Sequence, residues 1–440
     1  MRSTTVVMPD GSQRTAVEPE DVRRSAEHKF EGWFNGEYGP SRWYEGHVLA
    51  ARSKQGEAAR RRMADGMLTR EDMEGVPERL EYVLHAMRRK HIKALDRDAH
   101  PAMYRDAGLM QEIQPEAWKQ FWAKSKKGIA PGPSGTTVDM IWAMQMRMPL
   151  SVHQSTGKAG QGTTETKGAG SPEDTVCVTD HCFDALRVLV CMVMDTGMIP
   201  GGMLKEMLCP IDKVPGLVDL ANKRPLGLVE MLMQAMLGMQ VRIVSGVWDD
   251  NAMIDDFQVG CTKGMGCEAA LMNLTAKLEY SYIHKSPLYL PLNDQSKAFD
   301  TIPVELGMEA PMRRLGLPEK YLRLRSNCKH GSWTMVATAW GPTQEDWKAI
   351  GSVDEDGINA LRPIDPDSST TFGYHAQNGT TQGGRSGPDD FKAYYDVLAQ
   401  LLRNTVEDPA WRLDEYGERA EDLGNAFMDD AATSTRSQEG

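Results

Sequence analysis

Apolar residues fall at helical spacing along much of this chain and alternate in only a few short stretches. Leu80, Val83, Leu84 and Met87 recur at i, i+3, i+4 and i+7, which predicts a helix with one buried face. Residues 21–106 read as mostly helical, with a break at the glycines and proline of 36–40. Residues 183–207 are apolar and rich in methionine, a residue that fills irregular cores. The pattern predicts a long helix over 226–244 and an amphipathic one over 269–283. Leu288, Leu290 and Leu292 alternate, which predicts a strand over 285–292, although Pro291 removes a ladder donor.

Further on, Thr301 can cap a helix with Pro303 in its first turn. That helix should end near Gly316, although Pro311 interrupts it, and Pro318 should begin another. Phe391, Tyr394, Tyr395, Leu398, Leu401 and Leu402 line one face of a helix whose first turn holds Pro388, Asp389 and Asp390. The two carboxylates there favour the positive end of the helix dipole. Residues 425–434 read as a short hairpin with Asp429 and Asp430 at its turn. Residues 151–175 are rich in Gly, Ser, Thr and Lys without periodicity, and read as a flexible insertion.

A length of 440 residues suggests two or three domains. Residues 1–114 read as mostly helical and carry no readable motif. The seven cysteines are scattered with no CxxC pair, which argues against a zinc finger or a disulfide framework. Reduced thiols in an intracellular compartment are the expectation. The N-terminus lacks the apolar core of a signal peptide. The apolar run over 188–194 is far short of the roughly 20 residues a membrane span needs, so no membrane segment is expected.

The net charge of −12 argues at first against a nucleic-acid partner, because phosphate contacts need Lys and Arg. Residues 351–440 hold 18 acidic and 7 basic side chains, however, which leaves the first 350 near neutral. Basic patches such as Arg60-Arg61-Arg62, Arg88-Arg89-Lys90 and residues 124–127 remain available, either as contacts or as solvated helix faces.

The chemistry concentrates in three places. Asp294-Gln295-Ser296-Lys297-Ala298-Phe299-Asp300 closes the expected strand. Gly379-Thr380-Thr381-Gln382-Gly383 leads through Gly387-Pro388 to Phe391. Phe427-Met428-Asp429-Asp430 forms the last hairpin. A few carboxylates suffice for two Mg²⁺ ions, which keep waters and take substrate phosphates. Two such ions roughly 4 Å apart serve a phosphoryl displacement.

These residues resemble a reverse transcriptase, an RNA-directed DNA polymerase of the kind carried by non-LTR retrotransposons and group II introns. The first stretch matches the family's Asp-x-x-Lys-Ala-Phe-Asp. The second matches Gly-x-x-Gln-Gly-x-x-x-Ser-Pro-x-x-Phe, with Gly387 in place of the serine. The third matches an aromatic, a variable residue and Asp-Asp. Weaker matches precede them in the right order: residues 128–135 with Lys-Ala-Pro-Gly-Pro-Asp-Gly, Arg224-Pro225-Leu226-Gly227-Leu228 with Arg-Pro-Ile-Ser-Leu, and residues 258–264 with Gln-x-Gly-Phe-Arg-x-Gly. The resemblance covers about residues 115–435, and its weight lies in the order of six motifs.

The resemblance implies an α+β fold, a right-hand polymerase fragment with helical fingers over 115–284 and a palm over 285–440. The palm would be an antiparallel sheet backed by helices, with the thumb absent because the chain ends ten residues after Asp430. It implies that Asp294 and Asp429 hold two Mg²⁺ ions, or Mn²⁺ as an alternative, with Asp430 beside them. RNA template, DNA primer and deoxynucleoside triphosphates would be the partners. Phe299 would exclude a 2′-hydroxyl, and Gln382 and Gly383 would shape the nucleotide pocket. Lys213, Lys223 and Arg224 would meet the triphosphate, while Lys126, Lys127 and Lys263 are weaker candidates for template contact. A nuclear site is the family's habit. Two alternatives stand beside this: an inactive, truncated element copy that at most binds nucleic acid, and an RNA-dependent RNA polymerase. The paired Gln382-Gly383 favours DNA synthesis over the latter. Pro291, Asn293, Pro311, and Asp389-Asp390 in place of the family's usual apolar pair feed the former.

Overall fold

The computed structural model describes residues 4–7, 13–16, 18–35, 99–145, 180–216, 219, 222–294, 297–302, 304–338, 341–342, 352–353, 359–360, 373–374, 376, 378–380, 383–405, 424–428 and 430–433. The expected insertion at 151–175, the helix carrying Leu80 to Met87, Gln382 and Asp429 lie outside these residues. The fold is α+β, with helices predominating over small sheets.

A short hairpin, β1 (Thr4–Val7) with β2 (Gln13–Ala16), precedes α1 (Pro19–Asn35). Next come α2 (Ala99–Asp106), α3 (Pro115–Lys124), α4 (Val138–Ala143) and α5 (Asp180–Thr196). Thr137 caps α4, its hydroxyl accepting from Met140 N–H. Trp118, Phe121 and Trp122 of α3 pack with Val138, Phe183 and Val190 in one core cluster.

β3 (Lys205–Asp212) and β4 (Lys223–Val229) pair antiparallel. The helix expected over 226–244 therefore starts late, as α6 (Met231–Asp250). Its first expected residues lie in β4, where burial alternates from Lys223 to Gly227. Pro225 and Gly227 disfavour a helix there, and Pro225 is tolerated because β4 is an edge strand. α7 (Cys267–His284) agrees with the amphipathic segment in length but not in polarity. Lys277 is its buried residue, while Leu271, Met272, Leu278, Tyr282 and Ile283 face outward.

The strand expected over 285–292 is also displaced. Lys285 takes the left-handed conformation as the C-cap of α7. Strand β5 is only Leu292–Asp294 and begins just after Pro291. Residues Val304–Glu309 wind as a π-helix and run into α8 (Ala310–Arg314). Pro311 thus stands in the first turn of α8, where its missing N–H is harmless, rather than interrupting a helix. The segment ends at Gly316 with φ +79°, and Pro318 caps α9 (Glu319–Gly331), both as the sequence predicts.

β6 (Trp333–Thr338) pairs in parallel with β3, across the boundary expected at residue 284, and is flanked by β7 (Gly341–Pro342). β8 (Ser352–Val353) and β9 (Asn359–Ala360) form a separate pair, and β10 (Gly373–Tyr374) adds to β6. The larger sheet reads β10-β6-β3-β4. α10 (Gly387–Thr405) buries Phe391 and Tyr395, with Tyr394, Leu398 and Leu402 partly covered, as the spacing predicts. β11 (Gly424–Phe427) and β12 (Asp430–Thr433) form the expected hairpin. With β5 they make a three-stranded antiparallel sheet in the order β11-β12-β5. Ala426 and Ala431 of this sheet pack on Phe391 and Tyr395 of α10. Among the described residues no helix is long and apolar enough to cross a membrane.

Three carboxylates of α10 are buried in this arrangement, Asp389, Asp390 and Asp396, and burial raises the pKa of the first and last. Burial pushes Asp389 up to about 6 against the Ser245 hydroxyl, which donates to both its oxygens at 2.9 and 2.8 Å. Burial pushes Asp396 up to about 7. Asp396 accepts from Asp255 N–H and from Gln400 Nε2, each at 2.7 Å, while the Asp255 charge raises its pKa and Arg314 opposes. Both folded values exceed the ordinary 3.8, so the folded chain holds more protons than the unfolded one between about pH 4 and pH 7. Their contribution to stability is therefore greatest at the acid end and is lost as pH rises to 7. The melting temperature should be higher at pH 5.5 than at pH 8. Asp396→Asn should raise it by roughly 3 °C or more at pH 8 and flatten the profile. A mutant profile as steep as the parent's would remove Asp396 from the account.

Candidate functional site

The hairpin β11–β12 and the strand β5 bring together two stretches that are far apart in sequence. In the β12–β5 ladder Asp430 stands opposite Asp294, followed by Ala431 opposite Asn293 and Ala432 opposite Leu292. Directly opposed residues of an antiparallel pair have Cβ atoms about 5 Å apart on one face. Both carboxylates are exposed and line one open cavity of about 330 Å³, whose other walls include Leu271, Leu274, Leu290 and Phe427. Like charges in directly opposed positions destabilise a sheet. Among the described residues neither Asp294 nor Asp430 forms an ion pair, although Lys277 of α7 lies on the wall of the same cavity. The donor set is all oxygen, open to solvent and doubly negative. It fits a hard divalent cation that keeps part of its water shell. Among the described residues no group of three or more such ligands is gathered, and Asp429 lies outside them.

The turn that presents these carboxylates is held from one side. Met428 takes the left-handed conformation, with φ +57°. The buried Gln258 side chain donates from Nε2 to Met428 O at 3.0 Å, and its Oε1 accepts from Met428 N–H at 2.8 Å and from Gly260 N–H at 3.0 Å. Val259 N–H reaches Ala426 O at 2.9 Å, and Ala426 N–H reaches Phe257 O. One amide thus satisfies both backbone groups of the residue next to Asp429. Sequence reading placed Gln258 in a motif and gave it no role. Its place two residues before Gly260 in that motif was the available local signal.

The second loop is also tied in. Gly379 N–H donates to Ile302 O at 2.6 Å, and Thr380 N–H donates to Phe299 O at 2.7 Å. A Cβ at position 379 would lie 2.7 Å from Asp300 O, and φ there is +84°, so both contact and backbone require glycine. Phe299 is half-buried and stacks on Phe391, with ring centroids 4.8 Å apart. Gly383 packs against Leu226 and Gly227 of β4. The structure therefore links Asp294, Phe299, the Gly379–Thr380 turn and Asp430.

The predicted cations behave differently from one another. Lys223 is buried and paired with Asp212, opposite it in the β3–β4 ladder, so it is not free to meet an anion as expected. The reason is its register: the side chain falls on the buried face of β4, opposite Asp212, which an extended segment read from sequence alone does not specify. Arg224 on the other face and Lys213 beyond the end of β3 are exposed. Lys126, Lys127 and Lys263 are exposed as well, with the Lys127 ammonium 5.6 Å from the Trp142 ring. None of these six pairs with Asp294 or Asp430 among the described residues. The 128–135 loop docks beside β4, where Ser134 N–H and hydroxyl each donate to the Glu230 carboxylate at 2.6 Å.

No protein-family model matches this chain, and no curated protein matches it.

Proposed function

We propose that the protein is an RNA-directed DNA polymerase of the reverse-transcriptase type, built as a right-hand polymerase. The single observation carrying this reading is the β12–β5 register, which sets Asp430 opposite Asp294. The ordered motifs between residues 115 and 435 support it, as do the hydrogen bonds joining the 299–302 and 379–380 stretches.

On this reading Asp294 and Asp429, with Asp430 beside them, would hold two Mg²⁺ ions, for which Mn²⁺ can substitute. Bound there, the ions would supply charge stabilisation at the phosphoryl oxygens and acidify the attacking hydroxyl. The primer 3′-hydroxyl attacks the α-phosphate of a deoxynucleoside triphosphate on an RNA template, and pyrophosphate leaves. Phe299, braced by Phe391, borders the sugar and excludes a 2′-hydroxyl. Gln382 and Gly383 border the nucleotide. Arg224 and Lys213 reach the triphosphate, and arginine suits phosphate because its donors form a fixed fork.

Primer extension on an RNA template with Mg²⁺ tests the reading. Deoxynucleotides should be incorporated and ribonucleotides excluded. Incorporation of ribonucleotides alone would point instead to an RNA-dependent RNA polymerase, and no extension with either would sink both.

Gln258 gives a further check. Gln258→Leu leaves Met428 N–H and O and Gly260 N–H without their amide partner, at about 1–3 kcal/mol per buried group left unsatisfied. Because the lost bonds orient the Asp429–Asp430 turn, extension should fall by at least roughly tenfold and need more Mg²⁺ for half-maximal rate. A variant with lower stability but the parent's Mg²⁺ dependence would make Gln258 a purely structural residue.

A further inference from the structure

Two arginines meet on one aromatic ring and have no counter-charge. The guanidinium of Arg385, on the loop entering α10, lies 4.8 Å from the centroid of Phe121. That of Arg242, on α6, lies 5.2 Å from the same centroid. Among the described residues neither has a carboxylate partner. Arg242 is exposed, whereas the more covered arginines Arg187, Arg313 and Arg325 hold Asp184 and Glu112, Glu319, and Asp390. Arg385 is half-buried, and burial together with the Arg242 charge lowers its pKa. Two cations gathered on one ring without an anion between them offer an anion a ready site.

The position is fixed by its surroundings. Arg385 N–H donates to Gln234 Oε1 at 3.2 Å, and Gln234 Nε2 donates to Gly383 O at 3.4 Å. The Arg385 side chain runs across Gly238 of α6, where a Cβ would lie 2.5 Å from Arg385 Cδ. The same loop begins at Gly379 and Thr380, which bond to Ile302 and Phe299 beside the carboxylate-bearing strand. Lys124, Lys126 and Lys127 follow Phe121 within six residues and are exposed.

We propose that Arg242 and Arg385, gathered on Phe121, bind a backbone phosphate of the single-stranded RNA template. This rests on the polymerase reading and adds a template contact to it. The guanidinium fork matches a phosphate bidentately, and stacking on a ring holds it oriented before the strand arrives. The contact reads charge and not sequence, because it meets the backbone.

Fluorescence anisotropy with a labelled single-stranded RNA of mixed sequence, over a series of KCl concentrations, tests this. Each phosphate contact on a single strand contributes about 0.7 to the slope of log affinity against log salt. The Arg242→Gln/Arg385→Gln double variant should lose about 0.7 from that slope, one phosphate contact, and bind roughly tenfold more weakly at about 100 mM KCl. Gly238→Ala keeps every charge and places a good helix former in α6, yet displaces Arg385. It should weaken binding several-fold at unchanged net charge. An unaltered slope in the double variant, or full affinity in Gly238→Ala, overturns the proposal, as does a parent protein that binds no RNA. Competition by a deoxynucleoside triphosphate that needs these two arginines overturns it too, since the phosphate would then be the substrate's. The polymerase reading fails separately: loss of the RNA slope change with extension intact removes only the clamp. The slope change without any primer extension removes only the polymerase.

Discussion

Asp294→Asn should abolish Mg²⁺-dependent primer extension while leaving the fold as stable as before, or more stable. The two effects have opposite signs for one reason. Asp294 faces Asp430 across the β5–β12 ladder, with no ion pair to either among the described residues. Opposed like charges cost a sheet some tenths of a kcal/mol to about 1 kcal/mol. Asparagine removes that repulsion and keeps the shape, so in EDTA the melting temperature should hold or rise. It also removes a negative ligand on which the proposed chemistry depends, and extension should fall by about 10³ or more.

Magnesium separates the two further. A ligand that binds only the folded chain stabilises it by RT ln(1 + [L]/Kd), about 1.4 kcal/mol at ten times Kd. The parent should melt at a higher temperature in millimolar Mg²⁺, and Asp294→Asn should lose most of that response. Asp430→Asn should behave alike, because register makes the two residues equivalent halves of one pair. Extension surviving in Asp294→Asn would end the assignment. A marked fall in its EDTA melting temperature would show that the carboxylate is structural.

How far the sequence carries this is best judged residue by residue. The hairpin at residues 424–433 was legible because its strands are short, apolar and bounded by Asp-Asp, a local signal. The α10 face was legible because 3.6-residue periodicity is local too. The β5 strand was misplaced because three residues are too few to show alternation, and apolar Leu288 and Leu290 mimicked a strand outside it. Lys223 was misread for a related reason: its burial depends on pairing with β3, eleven residues earlier, which periodicity within 223–229 does not specify. Gln258 was invisible as a clamp, because its partner Met428 lies 170 residues away.

Asp389 and Asp390 make the same point most sharply. In sequence they look like damage to an apolar position, or helix-dipole residues at most. In the fold each has its own partner, Ser245 for Asp389 and Arg325 for Asp390. Such matched departures count against random decay, since a decaying copy has no pressure to supply a buried carboxylate with a buried cation 65 residues away.

Asp390→Leu should therefore be among the most destabilising single changes in the protein. Asp390 is fully buried and Arg325 is 5% exposed. Burial acts against the Arg325 charge, and Asp390 outweighs it, so the pKa of Arg325 stands above its ordinary value. Asp390 also accepts from the Thr380 hydroxyl at 2.8 Å, and Thr380 N–H holds Phe299 O. Removing the carboxylate strands a buried guanidinium, whose Nε already lacks a partner among the described residues, at about 3–5 kcal/mol. The compensating change is Arg325→Met, because a buried pair replaced by apolar groups of similar volume is often neutral or better. The double variant should recover at least half the loss, giving a coupling energy above about 2 kcal/mol in a double-mutant cycle. Thermal or urea unfolding at pH 7 measures all four corners. Additive effects, or a single-variant cost under about 1 kcal/mol, would mean that water or a rearranged side chain serves Arg325 as well as Asp390 does. Restored stability should not restore everything. With Asp390 gone, the Thr380 hydroxyl loses its acceptor, and the loop that bonds Phe299 loosens. The double variant should therefore extend primers more slowly than the parent at equal stability, which separates the pair's part in folding from its part in holding the site.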